Sequence, residues 1–416
     1  MHRRFIEHRL VAALADTRVV LLHGARQTGK STLAQRLAGA RGGRYLTLDD
    51  PAVLGLARAD PAALVRGFEG LTVLDEAQLA PALFPALKLE VDRDRRPGRF
   101  LLTGSASVFL LPQIAESLAG RIEILPLWPL AQDELGGKPA RFVDRLFSDS
   151  PWRARNRPVD RVGICRRIVA GGFPEVLERV APERRDAWFR SYVATLTQRD
   201  VRDLGRIEGL TDLPRLLALL AARVGGLVNA AEISRASGIA HSTLRRYLIL
   251  LEAVFALQPL PAWSANLGKR LVRAAKLHLV DPGLTAHLRG EADADALARS
   301  ASLGPLLESF VVQELRKQLG WSRTAASLYH FRTAAGREVD IVLEGPAQRI
   351  AGVEVKAAAS VGPRDFDGLR ALAEAAGRKF VRGVVLYLGE SDVAFGESLR
   401  AVPLPALWES EPAPRS

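Results

Sequence analysis

The sequence predicts an α/β protein in three parts: a front unit with a parallel sheet, a helical middle, and a second α/β unit at the back. Three observations predict it. The apolar run VVLLH at 19–23 is followed at once by GARQTGKST and then by the helical pattern STLAQRLAG. The run LTVLDE at 71–76 is a short apolar strand that ends in two acids. Near the back, REVDIVLE and GVEVKA place Asp340, Glu354 and Lys356 on two strand-like runs. With 416 residues, the chain is long enough for two to four domains.

The segment after the first strand fits G-x-x-x-x-G-K-[ST] at Gly24, Gly29, Lys30 and Ser31. Glycines let the backbone curl so that successive N–H groups of Gly24, Ala25, Arg26, Gln27, Thr28, Gly29, Lys30, Ser31 and Thr32 meet a phosphate. The positive end of the following helix adds to that field. Lys30 then reaches the β- and γ-phosphates of ATP, and the Ser31 hydroxyl ligates Mg²⁺. Asp75, at a strand's carboxyl end, is the second Mg²⁺ residue, and Glu76 orients or deprotonates the attacking water. In RFLLTGSAS, Thr103 is the first choice for touching the γ-phosphate or the lytic water, and Ser105 the second. Strand-like runs at 44–48 and 121–125 bring the count to five, which makes the front a P-loop NTPase three-layer sandwich with a parallel sheet. Arg121 is read in two ways: as an arginine that completes a neighbour's site, which implies a homo-oligomer, or as an ordinary surface arginine.

Residues 131–160, rich in Pro, Gly and charge, read as a connection. The pattern is helical from about 161 to 208, with Trp188, Tyr192, Thr195 and Leu196 on one face. Next come DLPRLLALLAARVG, VNAAEISRASG and IAHSTLRRYLILLEAV, in the order of a helix-turn-helix. FALQPLPAW and KRLVRAAKLHLVD have strand character and supply a wing. The third helix presents His241, Ser242, Thr243, Arg245 and Arg246 to a major groove. Lys269, Arg270, Arg273 and Lys276 join the two helical arginines as phosphate contacts. The alternative is a winged helix used for packing or protein contacts.

Charge supports the first of these. The chain carries +12 overall, and segments 1–130, 131–208, 209–290 and 291–416 carry +4, +4, +6 and −2. Half the excess therefore sits on the segment with the helix-turn-helix pattern, where it attracts a polyanion such as DNA.

At the back, PLLESFVVQELRKQL reads as a helix bearing Glu308. Strand periodicity puts Glu354 and Lys356 on one face and the flanking valines on the other. Buried charge needs a reason. The arrangement D-x(13)-E-x-K matches the PD-(D/E)xK nuclease pattern, in which Asp340 and Glu354 hold a second divalent metal and Lys356 activates water. A structural ion-pair reading of the same residues stands beside it. The expected boundaries are 1–130 for the ATPase unit, 131–208 for linker and helical subdomain, 209–290 for the winged helix and 291–416 for the nuclease-like domain.

Several classes are excluded. A single cysteine, Cys165, forbids an internal disulfide, and no CxxC or HExxH is present to hold zinc. No apolar run reaches the roughly 18 residues of a membrane span. MHRRFIEHRL lacks a signal peptide's apolar centre. The expectation is a cytoplasmic protein with no membrane partner.

Taken together, HGARQTGKSTL, VLDEAQ, LLTGSAS, SLAGRIEILPLWPL, GGFPEVL, NLGKRLV, LHLVDPGL, REVDIVLE and GVEVKA resemble a widespread family of prokaryotic AAA-type P-loop ATPases. Its members are fused to a C-terminal domain of unknown function numbered 4143. The resemblance runs over nearly the whole chain. It implies an ATPase core with a catalytic glutamate, a winged helix and a nuclease-like C-terminal domain, and it supplies no settled substrate.

Overall fold

The computed structural model of the protein describes residues 2–67, 69–105, 118–149, 158–201, 210–266, 268, 270 and 274–409. At the front, five strands form an all-parallel sheet: β1 (Val19–His23), β2 (Arg44–Thr47), β3 (Thr72–Asp75), β4 (Phe100–Gly104) and β5 (Ile122–Pro126). Their order is β2-β3-β4-β1-β5. The sequence predicts all five, within a residue at each end.

Strand β1 shows why the sheet is covered on both faces. Val19 and Leu21 pack with Leu74, Phe84 and Leu102 on one side, while Val20 and Leu22 pack with Leu10, Leu33 and Val73 on the other. A strand buried on both faces reads as a continuous apolar run, and VVLL is one. Helix Lys30–Ala40 lies on the second face and helix Leu83–Arg93 on the first. All five strands run the same way, so their carboxyl ends form one rim, where β1 and β3 deliver Gly24 and Asp75.

The middle is helical. Helix Pro182–Thr195 buries Trp188 and Tyr192, with rings stacked at 5.2 Å, and continues as a π-helical turn over Leu196–Asp200. Helices Leu213–Ala221, Ala230–Ser237 and His241–Ala253 follow. Asn229 caps the second by accepting from the Glu232 N–H, and Gly238 closes it in the left-handed region (φ 74°). Lys276 forms bridges with both Leu227 and Leu260, giving a small antiparallel sheet beside the three helices.

The back holds six strands: β6 (Ser327–Arg332), β7 (Glu338–Glu344), β8 (Ile350–Lys356), β9 (Phe380–Tyr387), β10 (Val393–Ala394) and β11 (Leu399–Pro403). They run in the order β10-β11-β9-β8-β7-β6, with β8, β9 and β11 parallel and the remaining pairs antiparallel. Helix Leu303–Gln318 packs on Ile341, Leu343 and Val353, and helix Asp367–Ala376 packs on the other face against Val342, Ile350 and Val385. Middle and back are joined by main chain: Trp263 N donates to the His330 carbonyl at 2.6 Å, and His330 N donates to the Pro261 carbonyl at 2.9 Å. No helix among the described residues is long and apolar enough to cross a membrane.

Candidate active site

The loop between β1 and helix Lys30–Ala40 is shaped by close backbone approach. A Cβ on Gly24 would lie 2.1 Å from the Leu127 carbonyl oxygen, so only glycine fits there. Gly29 (φ 91°) and Gln27 (φ 62°) both take the left-handed conformation that turns the loop back on itself. Ala25 and Thr28 are buried, the Thr28 hydroxyl donates to the Ala25 carbonyl at 3.0 Å, and Gln27 and Thr32 are exposed at the rim.

Lys30 is 4% exposed and donates to the carbonyls of Gly24 (3.0 Å) and Ala25 (2.9 Å). Burial pushes its ammonium down to about 8, against the opposing pull of Glu76 and Asp75. Ser31 Oγ donates to Asp75 Oδ1 at 3.1 Å, which brings the two predicted magnesium residues together across the rim. Tyr45, from β2, donates to the other Asp75 oxygen at 2.5 Å.

Thr103 stands against both acids at the rim. It is fully buried, donates to Asp75 Oδ1, and accepts from the Glu76 N–H at 3.0 Å. These bonds hold the two acids in place relative to each other. Ser105 is the residue that reaches the Glu76 carboxylate, at 3.1 Å, with Gln78 beside it as a second donor. Glu76 itself sits in the left-handed region (φ 55°), uncommon for a non-glycine residue and frequent at functional sites.

Sequence reasoning missed Tyr45, Gln78, Arg4 and Asp200. Arg4 donates to the Thr28 carbonyl (2.7 Å), to Glu134 (3.0 Å) and to the Trp128 carbonyl (2.6 Å), bracing the loop from the chain's start. Asp200, in the π-helical turn, clasps Arg26 at 2.9 and 3.1 Å. No local pattern announces Tyr45, Arg4 or Asp200, whose partners lie 24 to 174 residues away in sequence, whereas Gln78 stands two residues after Glu76.

The rim fits ATP and Mg²⁺. Lys30 and the glycine-lined loop suit phosphates, a hydroxyl and a carboxylate stand within hydrogen-bond distance where the ion is needed, and a second carboxylate waits beside them. Arg121 lies away from this rim, just before β5, and both its Nε (2.6 Å) and Nη2 (2.9 Å) bind Asp92 of its own chain. That intramolecular pair, rather than an unengaged arginine, is what the fold presents.

The predicted DNA-contacting residues divide. His241, Ser242, Arg245 and Arg246 are exposed along the first turns of their helix, Thr243 is half-buried, and Leu244 and Tyr247 face the core. Arg270 corrects the expectation: its guanidinium binds Glu344 at 2.5 and 3.2 Å and lies over Trp263 and Tyr329, so it is held in a structural contact. Lys276 corrects it further, being 2% exposed and inside the back unit's acidic cluster. Lys269 and Arg273 lie outside the described residues.

In that cluster, the Lys276 ammonium contacts Glu338 (2.6 Å), Glu308 (2.8 Å) and Asp340 (3.0 Å). Asp340 also accepts from the Val355 N–H at 3.0 Å, and Lys356 pairs with Glu354 at 2.9 Å. Burial, and then Asp340, raise both Glu308 and Glu354 to about 8. The four predicted nuclease residues are thus brought together. They do not fit a divalent ion, because the Lys276 ammonium already stands between Glu308 and Asp340 and the Lys356 ammonium lies on Glu354, and no group of metal-holding residues is found among the described residues.

The front geometry defines a P-loop ATPase of the AAA type, and the comparisons agree. Residues 16–136 match the family described as AAA domain, residues 163–295 a domain of unknown function (DUF8612), and residues 303–407 a domain of unknown function (DUF4143). The chain is 35% identical over 406 residues to the uncharacterized proteins Rv2008c of Mycobacterium tuberculosis and Mb2031c of Mycobacterium bovis, covering 97% of this chain and 84% of each relative. It belongs to their family, an AAA domain followed at the C-terminus by DUF4143. Among solved structures, the Thermotoga maritima RuvB Holliday junction branch migration motor aligns with 62% of this chain and 89% of its own, at 20% identity and a TM-score of 0.31. AMPPCP-bound DnaA from Aquifex aeolicus aligns with 59% and 85%, at 17% identity and a TM-score of 0.24. Scores this low carry no argument about this chain.

Proposed function

We propose that the protein is a Mg²⁺-dependent ATPase, converting ATP and water to ADP and phosphate, that engages DNA through a winged helix in its middle segment. The observation that carries the ATPase reading is the joined rim: Ser31 on Asp75, Thr103 on both Asp75 and the Glu76 N–H, and Ser105 on the Glu76 carboxylate. In this reading Lys30 and the loop N–H groups bind the phosphates, and Ser31 and Asp75 hold Mg²⁺, which supplies charge neutralisation on the phosphate oxygens when bound. Glu76 takes the proton of the attacking water, and Ser105 and Gln78 fix its carboxylate.

DNA engagement is supported by the order of three helices and three short bridged segments, and by the exposed His241, Ser242, Arg245 and Arg246. The back unit enters this reading as a nuclease-like fold and not as a cleaving centre. A second reading, an ATP-switched assembly platform without DNA, draws on one observation: Arg270 and Lys276 spend their charge on carboxylates of the same chain. ATP hydrolysis measured with and without single- and double-stranded DNA separates the two. Stimulation lost in Arg245→Ala with Arg246→Ala supports DNA engagement, and turnover indifferent to DNA moves the account to the second reading.

A further inference from the structure

Two clefts lie at the seam of the middle segment and the back unit, the first of them reaching Glu308 of the acidic cluster. One, of about 470 Å³, is lined by Arg223, Gly225, Leu227, Pro305 and Glu308; the other, of about 240 Å³, by Leu227, Ala262, Ala274, His330 and Arg332. Ala274, at the start of the segment that carries Lys276, lines the second. That segment's backbone is fixed on both sides: Lys276 exchanges hydrogen bonds with Leu260 at 2.9 Å in each direction, and Leu277 with Gly225 and Gly226 at 2.9 and 2.8 Å.

The Lys276 side chain leaves that segment and ends among three carboxylates contributed by helix Leu303–Gln318 and β7. Burial opposes its charge, yet Asp340 and Glu308 outweigh burial and hold the proton more firmly than usual. His278, two residues on, is fully buried 3.9 Å from Glu308, with neither ring nitrogen hydrogen-bonded among the described residues. Burial keeps its imidazole neutral, so it adds no positive charge, and Lys276 is the cation that Glu308 and Asp340 share.

We infer that the Lys276 ammonium is the resident cation of the Glu308–Glu338–Asp340 cluster, standing where a divalent metal would otherwise bind and tying the middle segment to the back unit. A divalent ion and an ammonium within 3.0 Å of the same carboxylate oxygens repel each other, so the two exclude one another. Removing the ammonium leaves a half-built cation site: carboxylates on a rigid strand and helix, one of them oriented by the Val355 N–H.

The test is Mn²⁺ binding to the full chain without nucleotide, with the front silenced by Ser31→Ala and Asp75→Asn. In that parent, no Mn²⁺ site should depend on Asp340. Adding Lys276→Ala should create one bound at least about tenfold tighter than anything in the parent, and adding Asp340→Asn on top should remove it. A parent that already binds Mn²⁺ in an Asp340-dependent way overturns the inference, as does a folded Lys276→Ala chain that gains no site. If Lys276→Ala does not fold, Lys276→Gln with Glu338→Gln keeps the charge balance and faces the same two outcomes.

Discussion

Two acidic sites in this chain are built alike and finished differently. At the front, Asp75 and Glu76 end a parallel strand and are held by neutral groups: the hydroxyls of Ser31, Tyr45, Thr103 and Ser105, and the Gln78 amide. At the back, Glu308, Asp340 and Glu354 are held by two ammonium groups, Lys276 and Lys356. Hydroxyls orient a carboxylate without cancelling its charge, so the front stays ready for a cation from solution. An ammonium cancels it, so the back already has one. A carboxylate cluster beside a sheet alone therefore does not identify a metal centre; what its remaining oxygens touch decides it.

The sharpest way to break the comparison is to remove charge at each site. Lys30→Ala and Glu76→Gln should each lower ATP turnover by at least about 100-fold, with Glu76→Gln keeping nucleotide binding and Lys30→Ala losing it. Turnover assays beside fluorescent-nucleotide binding read both. At the back, Lys276→Met should cost stability and not turnover, about 3–5 kcal/mol, because it strands buried carboxylates without a partner. Lys356→Met, whose side chain is 33% exposed, should cost less than about 1 kcal/mol in the same urea titration. Equal costs would mean that Lys276 is not the central cation.

Gly24→Ala should destabilise by about 1–3 kcal/mol, since its Cβ meets the Leu127 carbonyl oxygen head-on. Gly39→Ala, in the last turn of the next helix with open space around it, should be neutral or stabilising. A thermal melt of the pair separates loop shape from glycine content.

The smallest effects are in pH. Lys30 loses its proton near 8 in the nucleotide-free protein, so ATP binding above that value must take a proton up. Affinity should then fall by up to about tenfold per pH unit, and Lys30→Arg should flatten the profile. At the end of β1, burial, and then Lys30, hold His23 down at about 4. A base whose folded value lies below its unfolded one contributes stability that is present above about 6.5 and lost as pH falls through 4. His23→Gln should remove that acid-side slope, on the order of 1–3 kcal/mol.

Legibility follows the same division. At the front, both halves of the site are contiguous in sequence and sit on apolar strands, so Gly24 to Thr32, Asp75 and Glu76 could be read directly. Tyr45, Arg4 and Asp200 could not, because their partners come from other elements. At the back, the period-2 spacing placed Glu354 and Lys356 on one face, with Val353 and Val355 packing in the core opposite. Lys276 was misread as a surface cation because its neighbours, RLVRAAK, look like a basic edge. Its partners Glu308 and Asp340 lie 32 and 64 residues further on, a distance local pattern does not span. Arg121 was read without Asp92, 29 residues earlier, for the same reason.

The central claim is that the chemistry belongs to the front cluster and not to the back. Steady-state ATP hydrolysis in Mg²⁺, comparing wild type, Glu76→Gln and Asp340→Asn in folded full-length chains, tests it most directly. The account predicts turnover lost in Glu76→Gln and unchanged in Asp340→Asn. Turnover that survives Glu76→Gln but disappears in Asp340→Asn would contradict it.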